Sequence, residues 1–209
     1  GPIQANCHVL QDSETREIVV VDPGGEADTI LDFLDTLKGK VVAIWNTHGH
    51  IDHIGACAAV RAATQAPVSI HHADKECLAS EFICGAAMFG IPFEPCQADV
   101  LWSGGEAVRA LGRDWIIHHA PGHSPGMCTI TCAAEKLVIC GDLILMNSIG
   151  RTDLPGGDPK AMAASLRAFF HDYTKPDWEI FTGHGDRSTV QREISTNVYA
   201  RELMREFAK

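Results

Sequence analysis

Short runs of β-branched and apolar residues that break off at Gly, His or Asp recur along the chain, at residues 17–22 (EIVVVD), 41–46 (VVAIWN), 115–120 (WIIHHA), 136–141 (KLVICG) and 179–182 (EIFT). Their length and their abrupt ends predict β-strands. Between some of them the apolar spacing changes to three and four. Ile30, Leu31, Leu34 and Leu37 follow that spacing in one segment, and Ala161, Ala164, Leu166, Phe169 and Phe170 in another, which predicts helices with one apolar face. Pro159 suits the first turn of the second helix. A helical run over 54–64 and a last helix from about Thr189 onward, with Val190, Ile194, Val198 and Leu203 toward the core, complete the set. Residues 128–132 and 136–141 are joined by Ala133-Ala134-Glu135 and read as a hairpin, so strands alternating with helices here imply a layered α/β fold with a mixed sheet.

Nothing in the 209 residues marks an internal boundary: there is no repeat, low-complexity segment or Pro/Ser-rich linker, and a single domain over 1–209 is expected. With 45% hydrophobic and 21% charged residues, the chain has the composition of a packed protein rather than a disordered one. The formal charge of −10 is lopsided, since residues 146–209 hold nine basic and nine acidic side chains and residues 1–145 hold eight and eighteen. A uniformly basic face for nucleic acid is therefore not expected. No apolar run is long enough to cross a bilayer, and residues 1–6 have neither a basic nor an apolar signal region, so no membrane partner is expected. The chain opens on Gly1-Pro2 instead of Met, which fits either a trimmed tag or missing native residues. Eight cysteines occur without a C-x-x-C pair, several inside apolar segments, and read as buried thiols of a cytoplasmic protein.

The chemistry gathers where strands end. Thr47-His48-Gly49-His50-Ile51-Asp52-His53 directly follows the 41–46 strand and holds four metal-type ligands. His48, His50 and Asp52 are two residues apart, whereas a ligand pair on one helix face needs three or four, so this is a ligand loop and not a helical zinc-protease motif. His123 in Pro121-Gly122-His123, Asp142 in Cys140-Gly141-Asp142 and His184 in Gly183-His184-Gly185 share that setting, each behind a strand and beside glycine. If the strands share one edge, seven ligating groups converge. One zinc takes about four ligands, and a catalytic one about three from protein, so seven suffice for two ions. His8, His71, His72, His118, His119 and His171 are expected to be hydrogen-bonded structural residues instead.

The T-H-x-H-x-D-H segment resembles the signature of the metallo-beta-lactamase superfamily, and within it the small glyoxalase II-like hydrolases. The resemblance runs from Asp22-Pro23-Gly24-Gly25 through Gly150-Arg151-Thr152-Asp153 to Gly183-His184-Gly185. It implies an αββα sandwich of two mixed sheets. It also implies two zinc ions, or iron or manganese in their place: His48, His50 and His123 on one, Asp52, His53 and His184 on the other, and Asp142 as the bridge. Asp22 would support the site without ligating. The superfamily's lactam-hydrolysing enzymes generally lack a bridging aspartate, so Asp142 points to thioesters, esters or lactones, and His50 points away from the di-iron flavoprotein branch, which tends to carry Glu there. The longer glyoxalase II enzymes add a C-terminal helical domain that helps hold glutathione; 25 residues follow His184 here, and glutathione is not implied as the carrier.

The function so implied is hydrolysis of a small-molecule thioester, such as an S-2-hydroxyacylglutathione, by a metal-bridging hydroxide, with Asp52 as the catalytic carboxylate. Arg151 either binds an anionic group of the substrate or pairs with Asp153. Two other readings compete. One is a persulfide dioxygenase with a single iron, which shares the G-R-T-D segment; the other is a non-catalytic metal-binding protein, which fits less well because structural zinc sites are usually closed and rich in Cys.

Overall fold

The computed structural model describes residues 1–208. One sheet has the order β1 (His8–Gln11), β2 (Glu17–Val21), β3 (Lys40–Trp45), β4 (Val68–His71) and β5 (Val100–Trp102). Its strands are parallel except for the antiparallel edge strand β1. The other sheet runs from β6 (Ala107–Ala110) through β7 (Arg113–His119), β8 (Cys128–Cys132), β9 (Leu137–Gly141) and β10 (Glu179–Thr182) to β11 (Ser188–Thr189). The predicted hairpin is β8–β9, with Ile130 opposite Ile139, and β9–β10 is parallel, so both sheets are mixed.

The faces of the two sheets meet over an apolar layer in which Val19, Val21 and Trp45 of the first pack with Trp115, Ile117, Ile130 and Ile139 of the second. Trp45 sits edge-on to Trp102 and Trp115, with centroids 6.3 and 5.5 Å apart, the geometry aromatic rings prefer. On the outer face of the first sheet lie α1 (Ala27–Leu37), the short α2 (Ile51–Ile54) and α3 (Cys57–Thr64). A turn, α4 (Ala86–Phe89), follows β4 and a stretch of 3₁₀ helix, His72–Leu78. Against the second sheet lie α5 (Pro159–Ala168), which continues as a π-helical turn at Phe169–Tyr173, then α6 (Val190–Thr196) and α7 (Val198–Glu206). These four layers are the αββα sandwich. No helix among the described residues is long and apolar enough to cross a membrane.

Several sequence expectations need correction. The 54–64 helix is two helices, α2 and α3. On α5 the buried positions are Met162, Ala163, Ser165 and Leu166, and Phe169 is buried just beyond it; of the predicted stripe Leu166 and Phe169 hold, Ala161 and Phe170 are half-buried, and Ala164 faces out. The last helix is broken at Asn197, whose side chain accepts from Ala200 N and caps α7. That break rephases the chain, so Val190 and Ala200 enter the core while Ile194 and Val198 stay exposed. All eight cysteines are free, and all but the half-buried Cys7 are buried.

Candidate metal centre

The ligand loop is shaped from below by Asp22. This residue directly follows β2 at φ 53°, in the left-handed region that Asp tolerates better than most side chains. Its fully buried carboxylate accepts from Thr47 N and Thr47 Oγ1, both at 2.7 Å, and from His53 Nδ1 at 3.0 Å. These bonds let Asp22 position Thr47 and His53, and its carboxylate also forms a compact group with His48 and His53 whose ligand atoms lie within 4.8 Å of one another. Because Thr47 Oγ1 gives its proton to Asp22, the 3.0 Å contact with His48 Nδ1 has the imidazole donating. His123 likewise donates Nδ1–H to the Arg151 carbonyl at 2.7 Å. The arrangement is the same three times: an outer partner engages Nδ1, and Nε2 faces the centre.

Asp74, in the 3₁₀ segment after β4, was not among the candidates read from the sequence. It is buried and accepts from Gly49 N at 3.0 Å, Ser124 Oγ at 2.7 Å and Gly126 N at 2.6 Å. One carboxylate therefore ties the ligand loop to the loop that carries His123. The only sequence sign of this role is an acidic residue just past a β-branched run, which is too common to single out.

The second sheet supplies its three groups from three strand ends. His123 follows β7, Asp142 follows β9 and His184 follows β10. A register shift between Phe181 and Thr182 brings Gly183 N onto Gly141 O at 2.7 Å, which sets His184 beside Asp142. Gly183 has to be glycine here, because a Cβ would lie 2.0 Å from Asp142 Oδ1.

The seven predicted residues come together as two groups and a carboxylate between them. Ligand atoms of His48, His50 and His123 lie within 4.8 Å of one another, as do those of Asp52, His53 and His184. His50 Nδ1 is 2.8 Å from His123 Nε2, and His53 Nε2 is 3.3 Å from His184 Nε2. Asp142 Oδ2 is 3.5 Å from His123 Nε2 and 3.4 Å from His184 Nε2, and Oδ1 is 3.6 Å from His53 Nε2. Two buried atoms here, His48 Nε2 and Asp142 Oδ1, have no hydrogen-bond partner. A buried polar atom left alone is costly, and a donor set of imidazole nitrogens and carboxylate oxygens is what a transition metal takes, so the residues fit metal ions.

Electrostatically the groups differ. Burial, reinforced by the neighbouring imidazoles, pushes the His48 pKa well down, and the same causes bring His50 to about 4, so both present lone pairs at neutral pH. Burial also opposes the charge on His53, but Asp142, Asp22 and Asp52 outweigh it and raise that pKa to about 9. Hydrogen bonds to Asp142 and Asp52 raise His184 to about 10. Burial would lift Asp142, yet His53, His184 and His123 hold it well below the usual carboxylate range. The carboxylate-rich side gathers positive charge, and a metal cation bound there would compete with protons.

Above the cluster opens a cavity of about 360 Å³, with His50, Asp52, His123, Asp142 and His184 in its lining and Phe89, Leu145, Ile149 and Leu154 as apolar walls. Arg151 is at its rim and is paired in bidentate fashion with Asp153 at 2.6 and 2.7 Å, so the ion pair is the alternative that the structure displays. The histidines set aside in the sequence lie outside the cluster. His8 bonds Thr182 O, His118 bonds Thr131 Oγ1, His119 bonds Pro125 O, and His71 accepts from Ala73 N. His72 lies tilted beside His71, whose ring stacks on His119, and His171 is exposed on the π-helical turn.

Residues 1–184 match the model of a family described as the metallo-beta-lactamase superfamily. Among relatives, the chain is 29% identical to the hydroxyacylglutathione hydrolase GloC of Haemophilus influenzae, over 94% of this chain and 92% of that one. Among solved structures, it is similar to the BLEG-1 B3 metallo-beta-lactamase, with TM-score 0.88 and 32% identity over 95% of both chains. It is also similar to TTHA1623 in a di-iron-bound form, with TM-score 0.83 and 33% identity over 95% of this chain and 96% of that one.

Proposed function

The chain belongs to the metallo-beta-lactamase superfamily, and from that premise we propose that it is a dinuclear metal-dependent hydrolase of thioesters such as S-2-hydroxyacylglutathiones. The observation that carries this reading is the place of Asp142, whose carboxylate reaches His123 and His184 with Oδ2 and His53 with Oδ1. A single carboxylate between two ligand groups suits a bridge. His48, His50 and His123 would then hold one ion and Asp52, His53 and His184 the other. Zinc suits such a set, and iron or manganese would suit it as well. When bound, the ions supply an acidified water and an electrophile for the substrate carbonyl.

The rest falls to the chain's own residues. Asp52, which lines the cavity with Oδ2 3.2 Å from His184 Nε2, would orient the attacking water and take its proton. Phe89, Leu145 and Ile149 keep bulk water from the reacting carbonyl. A thiolate leaves readily, so the lack of a further acid in the cavity floor suits a thioester. Arg151 holds Asp153 through Nε and Nη2, which leaves Nη1 at the rim to meet an anionic group of the substrate.

The name of the Haemophilus relative supports the thioester, and the di-iron form of TTHA1623 supports a two-metal centre. The B3 metallo-beta-lactamase makes a lactam the substrate to test against. The experiment compares kcat/KM for lactoylglutathione, a non-glutathione thioester, a lactone and a β-lactam, with oxygen uptake on glutathione persulfide alongside. The thioesters should be fastest, with about two transition-metal ions per chain. A faster β-lactam, or oxygen uptake above every hydrolytic rate, overturns the assignment.

A further inference from the structure

Residues 82–93 (FICGAAMFGIPF) contain no charged side chain, although 21% of the chain is charged. Within this stretch Phe82 is 78% exposed, Ile83 57%, Met88 62% and Phe89 48%. Large apolar side chains grouped in water mark a surface that something covers. The stretch is not loosely attached. Cys84 and Ala86 are buried in the core of the first sheet, and the Cys84 carbonyl accepts from Ile51 N at 2.9 Å, inside the ligand loop itself. The turn α4 that carries Met88 and Phe89 is flanked by Gly85 at φ 88° and Gly90 at φ 63°, conformations that favour glycine. The chain thus fixes an apolar shelf at a set place beside the candidate ligands, and Phe89 belongs to both, since it also lines their cavity.

We propose that this shelf binds an apolar chain on the substrate, so that the preferred thioesters carry an alkyl or aryl acyl group of several carbons next to the scissile carbonyl. The inference rests on the thioester reading for the kind of bond and on the shelf for the kind of acyl group. Continuity with the cavity selects this occupant. The cavity has polar lining groups and apolar walls, Leu145, Ile149 and Phe89, and Phe89 shares its turn with the exposed Met88 of the shelf. A second protein copy seated on Phe89 would close the cavity that the same ring lines.

The test uses the metal-loaded chain and straight-chain acyl thioesters of one thiol, from two to ten carbons, beside lactones with matching alkyl side chains. In the unaltered protein kcat/KM should rise by roughly two- to fourfold per methylene until the shelf is covered, the range expected for partial to full burial of each CH₂. Phe89→Ala and Met88→Ser should each flatten that slope. Ile194→Ser, which removes an exposed apolar side chain on α6, should leave it unchanged. A flat slope in the unaltered protein with hydrolysis of the acetyl thioester overturns the inference and leaves the thioester reading standing. A rising slope with lactones and no turnover of any thioester overturns that reading and keeps the apolar chain. A flat slope with concentration-dependent dimers that Phe82→Ser abolishes in sedimentation assigns the shelf to self-association and overturns the inference.

Discussion

The two sheets contribute to the centre in different ways. The first gives His48, His50, Asp52 and His53 from one loop after β3, shaped locally by Asp22, Thr47 and the single turn of α2. The second gives His123, Asp142 and His184 from three strand ends far apart in sequence, so their distances depend on strand register and on Gly183 lying flat against Asp142. A loop of this kind keeps its ligand spacing as long as its own hydrogen bonds hold. The second set keeps its spacing only while the sheet does. Beyond the apolar layer between the sheets, specific hydrogen bonds join the two regions. Cys128 N donates to Thr47 O at 2.8 Å, and Asp74 bonds Gly49 on one side and Ser124 and Gly126 on the other.

Removing the residue that faces both groups should do the most damage. Asp142→Ala is expected to take metal content by mass spectrometry from about two ions per chain to well under one, and to lower kcat/KM by more than about 100-fold. Losing the carboxylate leaves the charge of two close cations uncompensated. Circular dichroism should change little, because Asp142 lies after β9 and supports no strand pairing. Full metal retention would place the bridge elsewhere. Asp74→Asn strikes the joint instead of the ligands. An amide keeps one acceptor oxygen where three donors now point, so with that oxygen on Gly49 and Ser124 its nitrogen faces Gly126 N, and the joint is weakened. Metal affinity in a chelator competition should fall by roughly 10- to 100-fold, as for other residues that orient ligands. If Asp74→Asn binds metal like the unaltered chain, the two regions are held in place by sheet packing alone.

That contrast also explains what could be read from the sequence. The ligand loop was legible because its pattern is local: four ligand residues within six positions, directly after an apolar run. The other three were legible as types in a common strand-end setting, but what brings them together, the shift at Phe181–Thr182 and the approach of Gly183, comes from pairing across the sheet. Asp74 was missed for the same reason, since its three donors come from two distant loops. Among the elements, β1, β4, β5, β6 and β11 were missed: each has two to four residues, too few to show a period, and they lack the Gly-His-Gly that marks the end of the equally short β10. The break at Asn197 was missed because its cap is a single side chain within an otherwise helical stretch.

The mildest perturbation asks whether the second sheet acts only through its strand ends. His118 lies on β7, five positions before His123, with its ring stacked on Tyr173 at 3.9 Å and Nε2 on Thr131 Oγ1 at 2.9 Å. Burial brings its pKa from 6.5 to about 4, so the fold holds it neutral. Below pH 6.5 the unfolded chain binds this proton and the folded chain does not, so stability is lost as pH falls from about 6.5 toward 4. His118→Gln cannot take up that proton. At pH 7.5 it should be less stable than the unaltered chain by about 1 kcal/mol, the worth of a lost stack and an altered hydrogen bond. Between pH 6 and about 4.5, within the window set by the two pKa values, the gap should narrow, as read by urea unfolding of both metal-stripped proteins in parallel. Metal content and kcat/KM at pH 7.5 should match the unaltered protein. Loss of metal in His118→Gln would mean that strand β7 itself, and not only the loop after it, sets the position of His123.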